Sequence, residues 1–258
     1  MKITVIAPIK RPPVRAQAGE SGVFRSKYAD KPCCKSLPAQ FEFVYLDEGP
    51  ELVRNAYDSA YAAPGVIRRA VEAQAGGADA IVINCTADTA LRACREAVSI
   101  PVIGPMECSL LYALQFVDRY SVLTFDRELN GRFRRLAGEL GLGARLACVR
   151  SVQEAPGSCG KGRTEILEAL TGLIRDIHRE TGCDGYILGC TDFEGFCYAL
   201  GCFDSDGMER ELLAALGTLG IDVVFFKPFE IAVYQAYFSA QLGLRPGRGS
   251  YPPPPAYF

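Results

Sequence analysis

The stretch GADAIVINCTAD (77–88) returns as GCDGYILGCTDF (182–193), with Gly, Asp, Cys and Thr matched at one constant separation of 105 residues. The apolar run before each Cys-Thr also has the same length. A chain that writes one strand twice, and ends both copies on cysteine, is constrained to a duplicated architecture with its two thiols at equivalent places. A second echo extends the repeat. IPVIGPMEC (100–108) and IDVVFFKPFE (221–230) each lead a strand into Pro-x-Glu, and the prolines are 228 − 105 = 123 residues apart.

Around these anchors, short apolar runs alternate with helical patterns, which points to parallel α/β sheets. KITVIAP (2–8), FEFVYL (41–46), AIVIN (80–84) and PVIG (101–104) read as the strands of the first copy. YSVLTF (120–125), RLACVRSV (145–152), GYILG (185–189) and IDVVFF (221–226) read as those of the second. A helix over roughly 51–75 is expected to break near Pro64-Gly65. Between 165 and 181, Ile166, Leu167, Leu170, Leu173, Ile174 and Ile177 share one helix face. The predicted fold is α/β: two pseudo-symmetric lobes, each a parallel sheet flanked by helices, with the active site in the cleft between them. Lobe 1 takes 1–115, with 229–258 returning to it as a C-terminal helix and tail, and lobe 2 takes 116–228. The chain's 258 residues suffice for two lobes of about 120 each.

Composition narrows the function classes. A net charge of −2 offers no nucleic-acid-binding surface. No apolar run approaches the ~20 residues of a membrane span, and MKITVIAPIK reads as a first strand without a signal peptide. Eleven cysteines with no C-x-x-C spacing, and His178 as the single histidine, fit neither a disulfide scaffold nor a common zinc site. The expected setting is the reducing cytoplasm, with most thiols acting as small buried hydrophobes. The expected partners are a small-molecule substrate and further copies of the chain, with no metal or cofactor. His178 reads as a solvated helix residue. The loop GSCGKGRTE (157–165) lacks the Lys-Ser/Thr pair of a P-loop. Residues 11–40 form a long basic loop, and the tail GRGSYPPPPAYF is expected to lie extended on a neighbour or to stay mobile.

Ligands of open parallel sheets bind beyond the carboxyl ends of the strands, where both Cys-Thr pairs fall. A helix follows each, and its N–H groups would favour thiolate. Cys85 and Cys190 are therefore expected to face one another roughly 7–10 Å apart, each within reach of one carbon from opposite sides. One thiolate would remove a proton and the other thiol would return one. Thr86 and Thr191 offer hydroxyls for a carboxylate or a developing enolate oxygen, and either could equally cap the following helix. Asn84, Asp88 and Asp192 flank the thiols as orienters, bases or caps. Lys10, at the end of the first strand, would suit an anionic substrate.

The twin Cys-Thr strands resemble those of the aspartate/glutamate/hydantoin racemase superfamily, cofactor-independent enzymes with two pseudo-symmetric α/β lobes. Within it, GPELVRNAYDSAYAAPGV (49–66) resembles the segment of hydantoin and allantoin racemases built as Gly-Pro, then Tyr-Asp, then Ala and Pro-Gly. The resemblance covers most of residues 1–240. It implies an isomerase acting at a carbon next to a carbonyl, with Cys85 and Cys190 as the acid/base pair and Thr86 and Thr191 helping to bind substrate. It further implies substrate contacts from Pro8 and Ile9 after the first strand and from Thr124 and Phe125 in the second lobe. The chain departs from the hydantoin racemase pattern at Ala7-Pro8-Ile9-Lys10, where those enzymes carry Asn-Pro-Asn-Thr/Ser. Hydantoin-like rings, amino acids such as aspartate or glutamate, decarboxylation or cis–trans isomerisation, and non-catalytic binding of a small anion stay open from the residues alone.

Overall fold

The computed structural model describes residues 1–10, 28–124, 127–152, 163–191 and 205–255. Its contacts divide the chain into two compact units, Met1–Cys108 with Phe229–Phe258, and Ser109–Pro228. Each unit holds a four-stranded, all-parallel sheet.

In the first unit, strands β1 (Lys2–Lys10), β2 (Gln40–Leu46), β3 (Ala80–Ile83) and β4 (Val102–Ile103) lie in the order β2-β1-β3-β4. Their side chains alternate between two faces, as the pleat requires. Ile6, Ile81 and Ile83 pack with Ala62, Val66 and Ala70 of helix α2 (Ala56–Ala75) and with Leu91 and Cys94 of α3 (Leu91–Ala97). Ile3, Val5, Ala80 and Val82 point the other way. They meet Cys33 and Cys34 of the short α1 (Pro32–Ser36) and Phe229, Ala232, Val233 and Ala236 of α8 (Pro228–Gln241), the last helix of the chain. The sheet is thus buried on both faces, which accounts for the unbroken apolar runs of β1 and β3.

The second unit repeats the plan. Strands β5 (Tyr120–Thr124), β6 (Leu146–Ser151), β7 (Gly185–Leu188) and β8 (Val224–Phe226) lie in the order β6-β5-β7-β8, the first order with each number raised by four. Helix α6 (Arg163–Thr181) buries Ile166, Leu170, Leu173, Ile174 and Ile177 against Leu123 and Tyr186 of the sheet and Leu212 and Leu216 of α7 (Ser205–Thr218). That is the stripe expected from periodicity. Helix α5 (Asn130–Glu139) packs through Phe133 and Ala137. The Pro-x-Glu echo also has a structural meaning. Pro105 opens helix α4 (Pro105–Ala113) and Pro228 opens α8, with Glu107 and Glu230 in their first turns. Proline suits a position whose N–H would go unused, and an acid suits the positive end of a helix.

Three expectations are corrected. Helix α2 does not break: it runs through Pro64. Pro64 and Ala60, whose carbonyl loses its partner there, are both exposed, so the freed carbonyl is on the side open to water. The helix begins at Ala56, later than expected, because Asn55 caps it by accepting the Asp58 N–H at 2.9 Å, while Asp58 accepts the Arg54 N–H at 3.0 Å. His178 is not a solvated residue. It is half-buried and its Nδ1 lies 2.9 Å from the Cys183 carbonyl, tying the end of α6 to the approach to β7.

The tail, the third correction, lies neither on a neighbour nor free but docks on its own unit, to which 229–258 was expected to return. Arg248 donates to the carbonyls of Glu96 at 3.1 Å and Val98 at 2.8 Å, closing the C-terminus of α3. Arg92 and Arg95 lie over the Tyr251 ring, 5.2 and 5.7 Å from its centroid. Of the basic loop, residues 28–39 pack against the sheet and α8: Tyr28 sits 4.6 Å from Phe229, and Lys31 pairs with Glu230 at 3.1 Å. Arg11, Arg15 and the GSCGKG stretch lie outside the described residues. No helix among those described is long and apolar enough to cross a membrane.

Candidate active site

Each sheet delivers its Cys-Thr pair in the same way. The residue after β3, Asn84, donates its N–H to Ile6 of the central strand at 2.8 Å. The residue after β7, Gly189, donates to Leu123 of its own central strand at 2.7 Å. Both ladders therefore run one bond past the strand and release the chain at the next residue, Cys85 or Cys190. Both thiols are half-exposed, and the threonines behind them are buried.

In the first unit the chain then winds tightly. Cys85 N–H reaches back to Ile83 at 2.7 Å, Asp88 N–H to Cys85 at 2.9 Å, and Leu91 N–H to Asp88 at 3.1 Å. Asp88 and Ala90 adopt left-handed backbone angles, φ 48° and 57°. Such angles are uncommon for residues with a side chain and persist where the surroundings enforce them. The enforcing contacts are visible. The Asp88 carboxylate accepts the N–H groups of Met106 at 3.0 Å and Glu107 at 2.7 Å, satisfying the first turn of α4. Glu107 in turn accepts from Arg95 at 2.6 Å, and Arg95 also donates to the Val102 carbonyl at 3.0 Å. A Cβ on Gly104 would stand 2.7 Å from the Asp88 carboxyl carbon and 2.5 Å from Leu91, so only glycine admits this arrangement.

Asp88 is thus a cap, and the helix it caps is α4 rather than the one that follows it. Thr86–Ala90 intervene between Cys85 and α3, which starts at Leu91 within the expected ALRACREAV run. Two polar atoms in this turn have no hydrogen-bond partner among the described residues, Asn84 Oδ1 and Thr89 Oγ1. Asn84 is 7% exposed and Thr89 fully buried. Pro8 and Ile9 form an irregularity in β1. Its pairing with β2 runs to Ala7↔Tyr45, skips them and resumes at Lys10↔Leu46. Lys10 is exposed at the strand end.

In the second unit, Thr124 ends β5 fully buried and its hydroxyl donates to Asn130 Oδ1 at 2.6 Å. Asn130 was not anticipated; its signal was an amide opening the helical run NGRFRRLAGEL. Phe125, Asp192 and the helical pattern FEGFCYAL after the second Cys-Thr lie outside the described residues. A Cβ on Gly189 would fall 2.8 Å from the Leu123 carbonyl oxygen, so no side chain fits at the counterpart of Asn84.

Several remaining thiols are structural. Burial pushes the Cys94 thiol up to about 12, well into the neutral range. Burial also raises Cys183, against the hydrogen bond from Ser121. Cys33 and Cys34 lie 4.0 Å apart under α8. The hydrogen bond between them holds the Cys33 thiol below its ordinary value and pushes the Cys34 thiol up.

Comparison with known proteins agrees with this layout. The profile of the Asp/Glu/Hydantoin racemase family matches residues 33–204. A hydantoin racemase of Pseudomonas sp. (strain NS671) is 27% identical over 164 residues, 64% of this chain and 63% of that one, so the match spans less than two thirds of its length. A hydantoin racemase of Rhizobium meliloti is 26% identical over 224 residues, 85% of this chain and 89% of that one. The crystal structure of allantoin racemase from Pseudomonas fluorescens superimposes with a TM-score of 0.70 at 20% identity, covering 100% of this chain and 99% of that one. With two like-ordered parallel sheets, two Cys-Thr strand ends and a profile match over most of its length, the chain belongs to the Asp/Glu/hydantoin racemase family.

Proposed function

We propose that the protein is a cofactor-independent racemase of hydantoin-like rings, with Cys85 and Cys190 as its acid and base. The observation that carries this reading is the equivalence of the two thiols. Each follows the same strand of a like-ordered sheet, is released one hydrogen bond past the strand end, and is half-exposed with a buried threonine behind it. A buried structural cysteine has no need of a second copy at the same place.

The chemistry requires that each sulfur reach one face of the same carbon. One thiolate takes the hydrogen from the carbon next to the ring carbonyl and becomes a thiol. The electron pair moves into the carbonyl, giving an enolate, and the second thiol protonates the carbon from the opposite face and becomes a thiolate. The enzyme then stands ready for the reverse reaction. Thr86, Thr191 and the turn N–H groups near them are suited to hold the enolate oxygen. The ring as substrate rests on the hydantoin racemase relatives and on the GPELVRNAYDSAYAAPGV segment.

Proton NMR in deuterated water tests it, across hydantoins, allantoin, aspartate and glutamate. The wild type should wash deuterium into both enantiomers of a hydantoin. Cys85→Ser and Cys190→Ser should each abolish racemisation, because a serine hydroxyl is a far weaker acid than a thiol. Each should still exchange the hydrogen of one enantiomer, served by the surviving thiol. Full activity in either variant would remove the two-thiol mechanism.

A further inference from the structure

Asn84 stands out within the first half-site because its side-chain oxygen makes no structural bond among the described residues. Its backbone N–H completes the β3 ladder, yet its side-chain oxygen is buried and accepts no hydrogen bond among the described residues. Native proteins rarely leave a buried acceptor empty, and each such group calls for an explanation: strain, a bound water or ion, or a functional role. The residue adjoins the Cys85 thiol in the chain. Its counterpart 105 residues later is Gly189, where a side chain would collide with the Leu123 carbonyl. The acid/base groups are therefore duplicated, whereas the carboxamide exists on one side alone.

We propose that Asn84 selects the substrate by pairing with the amide edge of its ring: Oδ1 accepts the ring N–H and Nδ2 donates to the neighbouring ring carbonyl. The inference rests on the hydantoin reading above and deepens it. Ring closure holds an amide cis, so its N–H and C=O lie side by side, the pattern a planar carboxamide complements with one acceptor and one donor. A free carboxylate offers acceptors alone and would set oxygen against Oδ1. An asymmetric reader beside symmetric thiols also answers a requirement of racemisation. Both enantiomers are gripped by the same edge, and the carbon between the thiols is the part that changes.

The test compares a 5-alkylhydantoin with its 1-methyl and 3-methyl derivatives, using wild type, Asn84→Leu and the smaller Asn84→Ala. Wild type should prefer the unmethylated ring over one methyl derivative by about tenfold or more in kcat/KM, the factor a site loses when its polar group is left unpaired. Both variants should lose about that factor on the unmethylated ring and little on that derivative, so the preference collapses. Their thermal midpoints should hold or rise, because an unpaired buried polar group is removed. An equal loss on all three substrates, or a clear fall in midpoint for both variants, overturns the assignment while leaving the racemase reading intact. A wild type inactive on every hydantoin removes both.

Discussion

Asp88 sits three residues beyond a candidate acid/base cysteine, and acids near thiols invite a catalytic role. Its carboxylate is instead committed to two backbone N–H groups of α4, and it holds a left-handed turn while doing so. Asp88→Ala should therefore cost stability, about 1–3 kcal/mol, through two donors left without their acceptor. Chemical denaturation reads this directly. An unchanged midpoint would show that water replaces the carboxylate and that the turn is held by other contacts. The contrast with Cys85 and Cys190 shows what a sequence discloses at this scale. The place of the cysteines at two equivalent strand ends was legible because the repeat marks it twice. The Asp88 partners lie 18 and 19 positions away in another element, and no local pattern announces them. Asn130 escaped for the same reason, since its bond to Thr124 joins a helix start to a strand end.

Elements were legible where one physical rule acts alone. All eight strands among the described residues follow from apolar runs, and the buried face of α6 follows from its periodicity. Helix α2 was misread at Pro64 because two rules compete there. Proline removes a helical hydrogen bond, but the cost depends on whether the freed carbonyl meets water, and exposure is not written in the local sequence. Since Pro64 still sits in a helix interior, Pro64→Ala should restore the Ala60 bond and stabilise the protein by about 1–3 kcal/mol. A raised thermal midpoint with unchanged isomerase activity is the expected result. A lowered midpoint would mean that proline's stiffening of the unfolded chain outweighs the bond it removes.

The two units differ in how the chain supplies them. The second is continuous, Ser109–Pro228, while the first needs Phe229–Phe258 to complete it. The docked form of the tail was not legible because its composition resembles that of free segments, and its anchors are Arg248, which caps α3, and Tyr251 beneath Arg92 and Arg95. A chain ending after Leu244 loses the Arg248 bonds to the Glu96 and Val98 carbonyls and the Tyr251 ring under Arg92 and Arg95. Its stability should fall by about 1–3 kcal/mol, less in high salt for the ring contacts. No fall at all would show these contacts to be incidental. The return of α8 has a further consequence, during synthesis. As the ribosome delivers the chain, the sheet face bearing Ile3, Val5, Ala80 and Val82 precedes the second unit, yet Phe229, Ala232 and Val233, which help to cover it, follow only after that unit. The second unit is free to fold first while the first waits with that face covered only by the 28–39 segment. That inverts the usual vectorial order and leaves transiently exposed apolar surface, which favours aggregation, on the first unit.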